Sequence, residues 1–507
     1  REQLNKLQKQ APIFSNFEEP KYDELAKIQV SQKDFPDDHS YILCNDAQTV
    51  VYKGGISEEK HFVMVKTLNA AGVDYWKEYD IDFAGNEELK IEDAYIIKKN
   101  GTKVDAETKD KLVVYRNLEA GDNICLTYKI FHYSSGKLAE HFWDKMIFTR
   151  FLPARSIKYS LMIDNNTKFN WKLSNSEMKP IVREKGKYTQ YIWERKDQKG
   201  TKGEKLMPSV VDFGEVLHIS TFPDWDYIAK WYTDIAITKT KPDFEVKEAV
   251  ATLFKNKGSL NPEQKVKEIY NYIVKNIRYS SISFRQSGLI PQRPADVLNT
   301  KIGDCKDVSS LFVAMCKEVG IESNLVLVAT RNFGDNQMPL PSIDFNHCIA
   351  KVNLNGQPYF VELTTDNYPF SAYNINLLKA PALEIISARS DLFQINPAVR
   401  TQNLRLRNTT ISFADNKMMI TRKNVKTGVE AGGMRDVYRD AGIDQRNKIL
   451  KESLAGEYAS IKLESFSFDE NLMNTEDTLK YEFTYSVPLT AVFEEIAGMN
   501  IMKLNWS

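Results

Sequence analysis

The sequence lacks the features that usually identify membrane, nucleic-acid-binding and metal-binding proteins. Its 507 residues contain no apolar run of about 18 or more, so no segment predicts a membrane-spanning helix. Lysine and arginine total 68, as do aspartate and glutamate, and no basic stripe indicates nucleic-acid binding. Cys-x-x-Cys, His-x-x-x-His and glycine-rich phosphate-binding patterns are absent, so we expect no metal, nucleotide or other cofactor.

Cysteine is also scarce, with five residues in the whole chain. That number is too low for a disulfide framework, and because it is odd we expect at least one free thiol. No signal peptide is visible, but the chain begins with Arg1 rather than Met, which is compatible with removal of an export signal.

One cysteine stands at the predicted start of a helix. The motif Gly-Asp-Cys-Lys-Asp at residues 303–307 precedes apolar residues at helical spacing up to Val319, and Gly320 is a typical helix stop. Asp304 is the predicted cap, which places Cys305 in the first turn, at the positive end of the helix dipole. A thiol attacks as the thiolate, which a helix N-terminus or an imidazole favours, so Cys305 is the candidate nucleophile.

His347 is the candidate base. The chain has six histidines, and the other five precede Cys305 by more than 80 residues, in segments typical of strands or loops. Residues 346–364 predict a strand, an Asn-Gly turn and a returning strand. Glu362 should then come back near His347, where a carboxylate would hold the imidazole in one tautomer.

These residues resemble the transglutaminase-like superfamily of papain-fold enzymes. The match consists of Gly-Asp-Cys at a helix start, a histidine opening a strand and an acid near the end of the next strand, over roughly residues 260–370. A capped helix that begins at Asn261 also matches. The resemblance implies a catalytic triad of Cys305, His347 and Glu362 in a papain-like α+β domain.

Two roles at this site leave alternatives open. The superfamily usually has Asp as its third residue, so Asp366 is a substitute for Glu362. The backbone N–H of Cys305 is the expected oxyanion donor, and Gln292 is the candidate side-chain donor, although glutamines are common in loops. The other cysteines lie in apolar patterns, and we interpret them as core residues: Cys44, Cys125, Cys316 and Cys348.

The central domain is flanked by β-rich sequence. After a polar start at residues 1–10, which predicts a short helix or a frayed end, short alternating runs over about 38–235 predict an all-β sandwich. Strand patterns return after about residue 400, around a helix at Arg435–Leu454. We therefore predict a multidomain α+β protein with an N-terminal β-rich module (1–240), a transglutaminase-like catalytic domain (241–400) and a C-terminal β-rich module (401–507). The chain stops directly after a strand-like run, which is compatible with a C-terminal module that continues beyond Ser507.

The N-terminal part resembles the β-rich module of unknown function found ahead of bacterial transglutaminase-like domains. The resemblance rests on Pro20–Leu25, Phe151–Pro153 and the aromatic segment 220–232. It implies export to a bacterial periplasm or cell surface. A long loop at Arg331–Pro341, just before His347, could gate the site or serve as a plain connector.

Two functions of different classes are compatible with the sequence. In the first, Cys305 attacks an amide of a protein or peptide substrate, for example in the cell envelope, and His347 transfers the proton. Water as acceptor gives a peptidase or amidase and an amine gives a cross-linker; the resemblance favours hydrolysis. In the second, the papain-like domain is a silent scaffold and the β modules bind or assemble with a surface partner. A third hypothesis, that the β-sandwich binds sugars, rests on fold analogy alone. The sequence does not determine the oligomeric state.

Overall fold

The computed structural model shows two compact units. The described residues are 12–83, 87–132, 136–281, 288–370, 372, 374–395, 403–458, 460–468, 472, 474–475, 478–496 and 499–502. The first unit runs to Ile228 and also includes Asn332–Asp344. The second comprises Ala229–Arg331 and the chain from Phe345 onward. The helix or frayed end predicted for residues 1–10 lies outside the described residues.

The first unit is built mainly of β-strands. In chain order they are β1 Ser40–Val51, β2 Ser57–Thr67, β3 Glu78–Asp80, β4 Glu87–Ile97, β5 Lys103–Asp105, β6 Glu107–Lys109, β7 Leu112–Val114, β8 Asn123–His132, β9 Trp143–Ile147, β10 Ala154–Asp164, β11 Asn170–Ser174, β12 Ile181–Lys185, β13 Tyr188–Gln198 and β14 Val216–Ser220. They form an eight-stranded sheet, ordered β12-β13-β10-β1-β2-β8-β4-β5, and two three-stranded sheets, β11-β14-β9 and β3-β7-β6.

Packing of the large sheet against a smaller one makes the core of this unit. Apolar residues of β10 and β13, such as Leu161 and Trp193, share one cluster with Leu217 and Ile219 of β14. Within the large sheet, β1 pairs in parallel with β10 and antiparallel with β2. The predicted β-rich architecture is confirmed. Its helices are short: α1 Tyr22–Leu25, α2 Ala70–Trp76 and α3 Val210–Phe213, with 3₁₀ turns at Ile13–Asn16 and Gly136–Glu140.

Residues 332–344 are held by the first unit, although both flanking stretches of sequence belong to the second. Asp212 Oδ1 accepts hydrogen bonds from the backbone N–H groups of Asp335 at 2.7 Å and Asn336 at 2.9 Å. These bonds hold the middle of the loop that was expected to be a gate or a plain connector.

The second unit contains the longer helices. They are α4 Trp225–Ala236, which starts at the boundary, α5 Phe244–Phe254, α6 Pro262–Asn276, α7 Pro294–Thr300, α8 Cys305–Glu318, α9 Gly428–Tyr438 and α10 Ile443–Leu454. Its strands are β15 Arg278–Tyr279, β16 Ile302–Gly303, β17 Ser323–Val328, β18 His347–Leu354, β19 Gln357–Val361, β20 Pro381–Ile385, β21 Phe393–Gln394, β22 Arg405–Ala414, β23 Lys417–Lys426, β24 Lys462–Phe468, β25 Leu479–Pro488, β26 Phe493–Ile496 and β27 Met499–Met502.

The central part of this unit is an antiparallel sheet with α8 buried beside it. The sheet has the order β19-β18-β17-β20-β21, and residues from Lys306 to Cys316 of α8 are all buried. The predicted helix at Asn261 is present as α6, with Asn261 and Gln264 forming a capping box. The predicted stop of α8 is also present, because Gly320 adopts a φ of 76°.

The C-terminal part is a four-stranded sheet, ordered β22-β23-β25-β24, with two helices. The single helix predicted at Arg435–Leu454 is wrong: α9 ends at Tyr438 and α10 begins at Ile443. The reason is Gly442, whose extended backbone makes it the N-cap of the second helix. Among the described helices, none is long and apolar enough to cross a membrane.

Candidate active site

A reciprocal capping box fixes the start of α8. The Asp304 side chain accepts from the backbone N–H groups of Lys306 and Asp307, each at 3.2 Å, and Asp307 Oδ2 accepts from the N–H of Asp304 at 3.2 Å. Cys305 is the first helical residue and is partly exposed. Its thiol therefore reaches solvent at the positive end of the helix dipole, where negative charge is stabilised.

Gln292 is tied to this capping box. Its backbone N–H donates to Asp307 Oδ1 and its side-chain Nε2 donates to Asp307 Oδ2, both at 2.7 Å. A longer contact of 3.5 Å joins Nε2 to the carbonyl of Ile302. Since an amide nitrogen carries two hydrogens, both have an acceptor, and the side chain positions Asp307. A role for Gln292 as oxyanion donor stays a prediction.

The β18–β19 hairpin brings His347 and Glu362 together. Ala350 pairs with Val361 in its register, and Glu362 directly follows β19. His347 Nε2 lies 2.9 Å from Glu362 Oε2. The other carboxylate oxygen accepts from the backbone N–H and hydroxyl of Thr364, at 3.0 and 2.7 Å. Glu362 is only 4% exposed, so the carboxylate is held on both sides in a buried position.

The charge of Glu362 controls the protonation of His347. Burial lowers the pKa of His347, but Glu362 and then Cys305 outweigh burial and raise it to about 10. Burial raises the pKa of Glu362, but His347 and Thr364 outweigh that effect and lower it. Because Nε2 faces Glu362, the nitrogen left for the hydrogen bond with Cys305 is Nδ1. At neutral pH this arrangement sets a protonated imidazole beside the Cys305 side chain.

Asp366, the alternative third residue, has another partner. Its Oδ2 lies 2.9 Å from Nη1 of Arg439, which follows α9. The structure thus brings Cys305, His347 and Glu362 into one site and leaves Asp366 in an ion pair outside it.

Tyr279 is a neighbour of the site that the sequence analysis did not select. Strand β15 pairs in parallel with β16, and Tyr279 is in register with Gly303, two residues before Cys305. Burial, followed by Cys305 and Asp304, raises the pKa of Tyr279 to about 12, so its hydroxyl remains a proton donor at neutral pH. The Ile-Arg-Tyr sequence was visible, but a two-residue strand is too short to predict from alternation.

The other four cysteines are core residues, as predicted. Cys44, Cys125, Cys316 and Cys348 are 5%, 0%, 0% and 4% exposed. Burial raises the pKa of each of these thiols. Of the five cysteines, Cys305 alone is more than slightly exposed. Within the described residues, no group of three or more His, Cys, Asp or Glu side chains could hold a metal ion.

This arrangement of thiol, imidazole and carboxylate defines a papain-like Cys-His-acid site. Residues 229–361 match the family model of the transglutaminase-like superfamily, and they form a domain of that superfamily. Residues 106–202 match a domain of unknown function with a solved structure (DUF3857). The resemblance to this superfamily is therefore confirmed.

One solved structure has a similar fold over most of the chain. A candidate protease of Parabacteroides distasonis aligns with a TM-score of 0.56 at 13% identity, over 89% of this chain and 93% of its own. A candidate cysteine protease of Cytophaga hutchinsonii matches at 12% identity over 50% of this chain and 88% of its own. A zinc metallopeptidase of Deinococcus radiodurans matches at 12% identity over 35% of this chain and 42% of its own. The last two have TM-scores of 0.22, which are too low to support an argument. A search among curated proteins found no match.

Proposed function

We propose that this protein catalyses thiol-dependent acyl transfer on amide bonds of protein or peptide substrates, with water as the usual acceptor. The supporting observation is the contact of 2.9 Å between His347 and the buried Glu362, beside a solvent-reaching Cys305 at the start of α8. A carboxylate that is buried and fully hydrogen-bonded can orient an imidazole and stabilise its charged form.

The chemistry has two stages. The Cys305 thiolate attacks the amide carbonyl, and the tetrahedral oxyanion is stabilised by the backbone N–H of Cys305. His347 then gives its proton to the leaving amine, so that the C–N bond breaks and a thioester remains. In the second stage His347 takes a proton from water, the hydroxide attacks the thioester, and the acid product leaves as Cys305 recovers its charge. An amine in place of water would give a cross-linked product.

Two assays on one protein sample distinguish the acceptors. Release of fluorescent peptides from labelled casein reports hydrolysis, and incorporation of dansylcadaverine into casein reports transfer to an amine. We expect hydrolysis in the wild type and its loss in Cys305→Ala. Amine incorporation without hydrolysis would instead assign a cross-linker. Equal rates in the wild type and Cys305→Ala would contradict the proposal, and absence of both activities would favour the scaffold function.

We also propose that the protein is exported to a bacterial periplasm or cell surface and acts on cell-envelope proteins or peptides. The proposal rests on the resemblance of the N-terminal module to those found ahead of bacterial transglutaminase-like domains. Fractionation of the native host, with an antibody against the chain, tests it. The protein should appear in the periplasmic or surface fraction, and confinement to the cytosolic fraction would contradict export.

A further inference from the structure

A cleft in the first unit is lined by lysine side chains. Its volume is about 980 Å³, and it lies between the segment that follows α1, the ends of β2 and β4, and the turn that leads to β5. Its charged lining residues are Lys27, Lys66, Lys98, Lys99, Lys103 and Asp23. A volume of this size is in the range of small-molecule sites in proteins.

The carboxylates near the cleft neutralise two of these lysines. Lys103 pairs with Asp23 at 2.8 Å. Lys98 pairs with Asp122 at 2.6 Å and with Glu119 at 3.0 Å. The other three lysines form no ion pair with any described residue. The cleft therefore has an excess of positive charge.

Lys66 is the buried member of this group. It is 9% exposed, and its Nζ makes a long hydrogen bond of 3.5 Å to the carbonyl of Ile28. Burial, and after it the charge of Lys99, lowers the pKa of Lys66. The ammonium group of Lys66 is partly withdrawn from water and has no carboxylate partner, so an anion in the cleft would be stabilised by it.

The position of Lys99 depends on a glycine. A Cβ on Gly121 would lie 2.2 Å from Cε of Lys99, so the lysine stem packs directly over Gly121, which has a φ of +92°. Amide and hydroxyl side chains complete the lining: Gln29, Ser31, Gln32, Asn100 and Asn123. Such groups can donate hydrogen bonds to oxygens of a ligand.

We propose that this cleft binds a compact ligand that carries two or more oxyanion groups, of the phosphate or carboxylate type, between Lys66 and Lys99. All residues of this cleft belong to the first unit, so its ligand binding is independent of the proposed chemistry of Cys305. Hydrogen bonds between charged groups are stronger than those between neutral groups. Removal of one lysine should therefore weaken binding of the ligand measurably.

Isothermal titration of the full chain tests the cleft with tripolyphosphate and with citrate as separate probes. We expect one site per chain for at least one probe, and the probe that binds identifies the type of oxyanion. Lys66→Met and Lys99→Gln should each weaken binding about 10-fold or more. Lys205→Gln, at an exposed lysine outside the cleft, is the matched control and should bind as the wild type does. Equal weakening in Lys205→Gln, or no binding of either probe, would overturn the proposal.

Thermal unfolding of Lys66→Met gives a second test that needs no ligand. Methionine keeps most of the apolar stem and removes the buried charge, so we expect an equal or higher Tm in the free protein. A lower Tm would show that Lys66 is already compensated by the fold, which would contradict the proposal.

Discussion

At the scale of single residues, Glu362 is where this chain departs from the usual pattern of the superfamily. The superfamily usually has Asp at this position, and this chain has Glu followed by Leu and Thr. Despite the additional methylene, both carboxylate oxygens have hydrogen-bond partners: Oε2 faces His347 and Oε1 faces Thr364. The longer side chain is thus accommodated within an intact hydrogen-bond network.

Glu362→Gln removes the charge and keeps the size of the side chain. We expect the pKa of His347 to fall well below about 10, because Glu362 is the largest influence that raises it. We also expect acyl-transfer activity to fall by roughly 10²-fold or more, since proton transfer by His347, which Glu362 orients, contributes at least that much. Titration of the His347 ring by NMR, in a chain with six histidines, measures the first effect. An unchanged pKa would contradict the assignment.

The raised pKa of His347 also predicts how stability depends on pH. A group whose pKa is raised on folding, here from 6.5 to about 10, gives a stabilisation that is complete below its unfolded pKa and disappears as the pH rises through the folded pKa. The difference in free energy of unfolding between wild type and His347→Gln should therefore be largest below about pH 6.5 and should shrink toward pH 10. Urea titrations across this range measure it, and a difference that grows with pH would refute the ion pair.

Gln292→Ala separates a positioning role from an oxyanion role. Its amide holds Asp307 at 2.7 Å, so we expect a loss of about 1 kcal/mol in stability and only a small change in activity per folded molecule. An oxyanion donor behaves differently, because its removal lowers kcat by about 10²–10³-fold without altering stability. A large loss of kcat at unchanged stability would assign Gln292 to the oxyanion site.

At the scale of elements, α9 supports the loop that follows the β18–β19 hairpin. Asn367 donates to Asp436 Oδ1 at 3.1 Å, next to the pair of Asp366 and Arg439. A Cβ on Gly432 would lie 2.3 Å from Cδ1 of the neighbouring Tyr368 ring. A helix of the C-terminal part therefore packs closely on the loop that begins at Glu362.

Two adjacent glycines of α9 give a matched test of this packing. A Cβ added to Gly433 would meet open space, so Gly433→Ala should raise the stability by about 0.5–1 kcal/mol through helix propensity. Gly432→Ala has the same intrinsic gain but must displace the Tyr368 ring, and we expect a lower Tm. Thermal unfolding of both variants decides the matter. An equal increase in Tm for the two would contradict the close packing on this loop.

At the scale of the whole molecule, the sequence predicted local elements better than their assembly. The helices at Asn261 and Cys305 have caps, periodicity and stops within a few residues, which are signals that a sequence displays directly. The hairpin that carries His347 was predictable for the same reason, because Asn-Gly is a typical turn sequence. In the structure, Asn355 and Gly356 adopt the positive φ angles of such a turn, 52° and 75°.

Several contacts between distant residues were not predictable. The parallel pairing of β1 with β10 joins strands more than 100 residues apart, and nothing local specifies it. Likewise, the sequence around 332–344 gave no sign that Asp212 of the first unit accepts its hydrogen bonds. The ion pair that occupies Asp366 is formed by Arg439, which lies 73 residues away.

The proposed chemistry requires that Cys305 and His347 form an activated pair. The most direct measurement is the rate of iodoacetamide alkylation at Cys305 as a function of pH, read by mass spectrometry, in wild type and His347→Ala. The four buried cysteines serve as internal controls in the same digest. We expect fast alkylation that persists below pH 7 in wild type and is lost in His347→Ala. The same slow, pH-dependent rate in both proteins would contradict it.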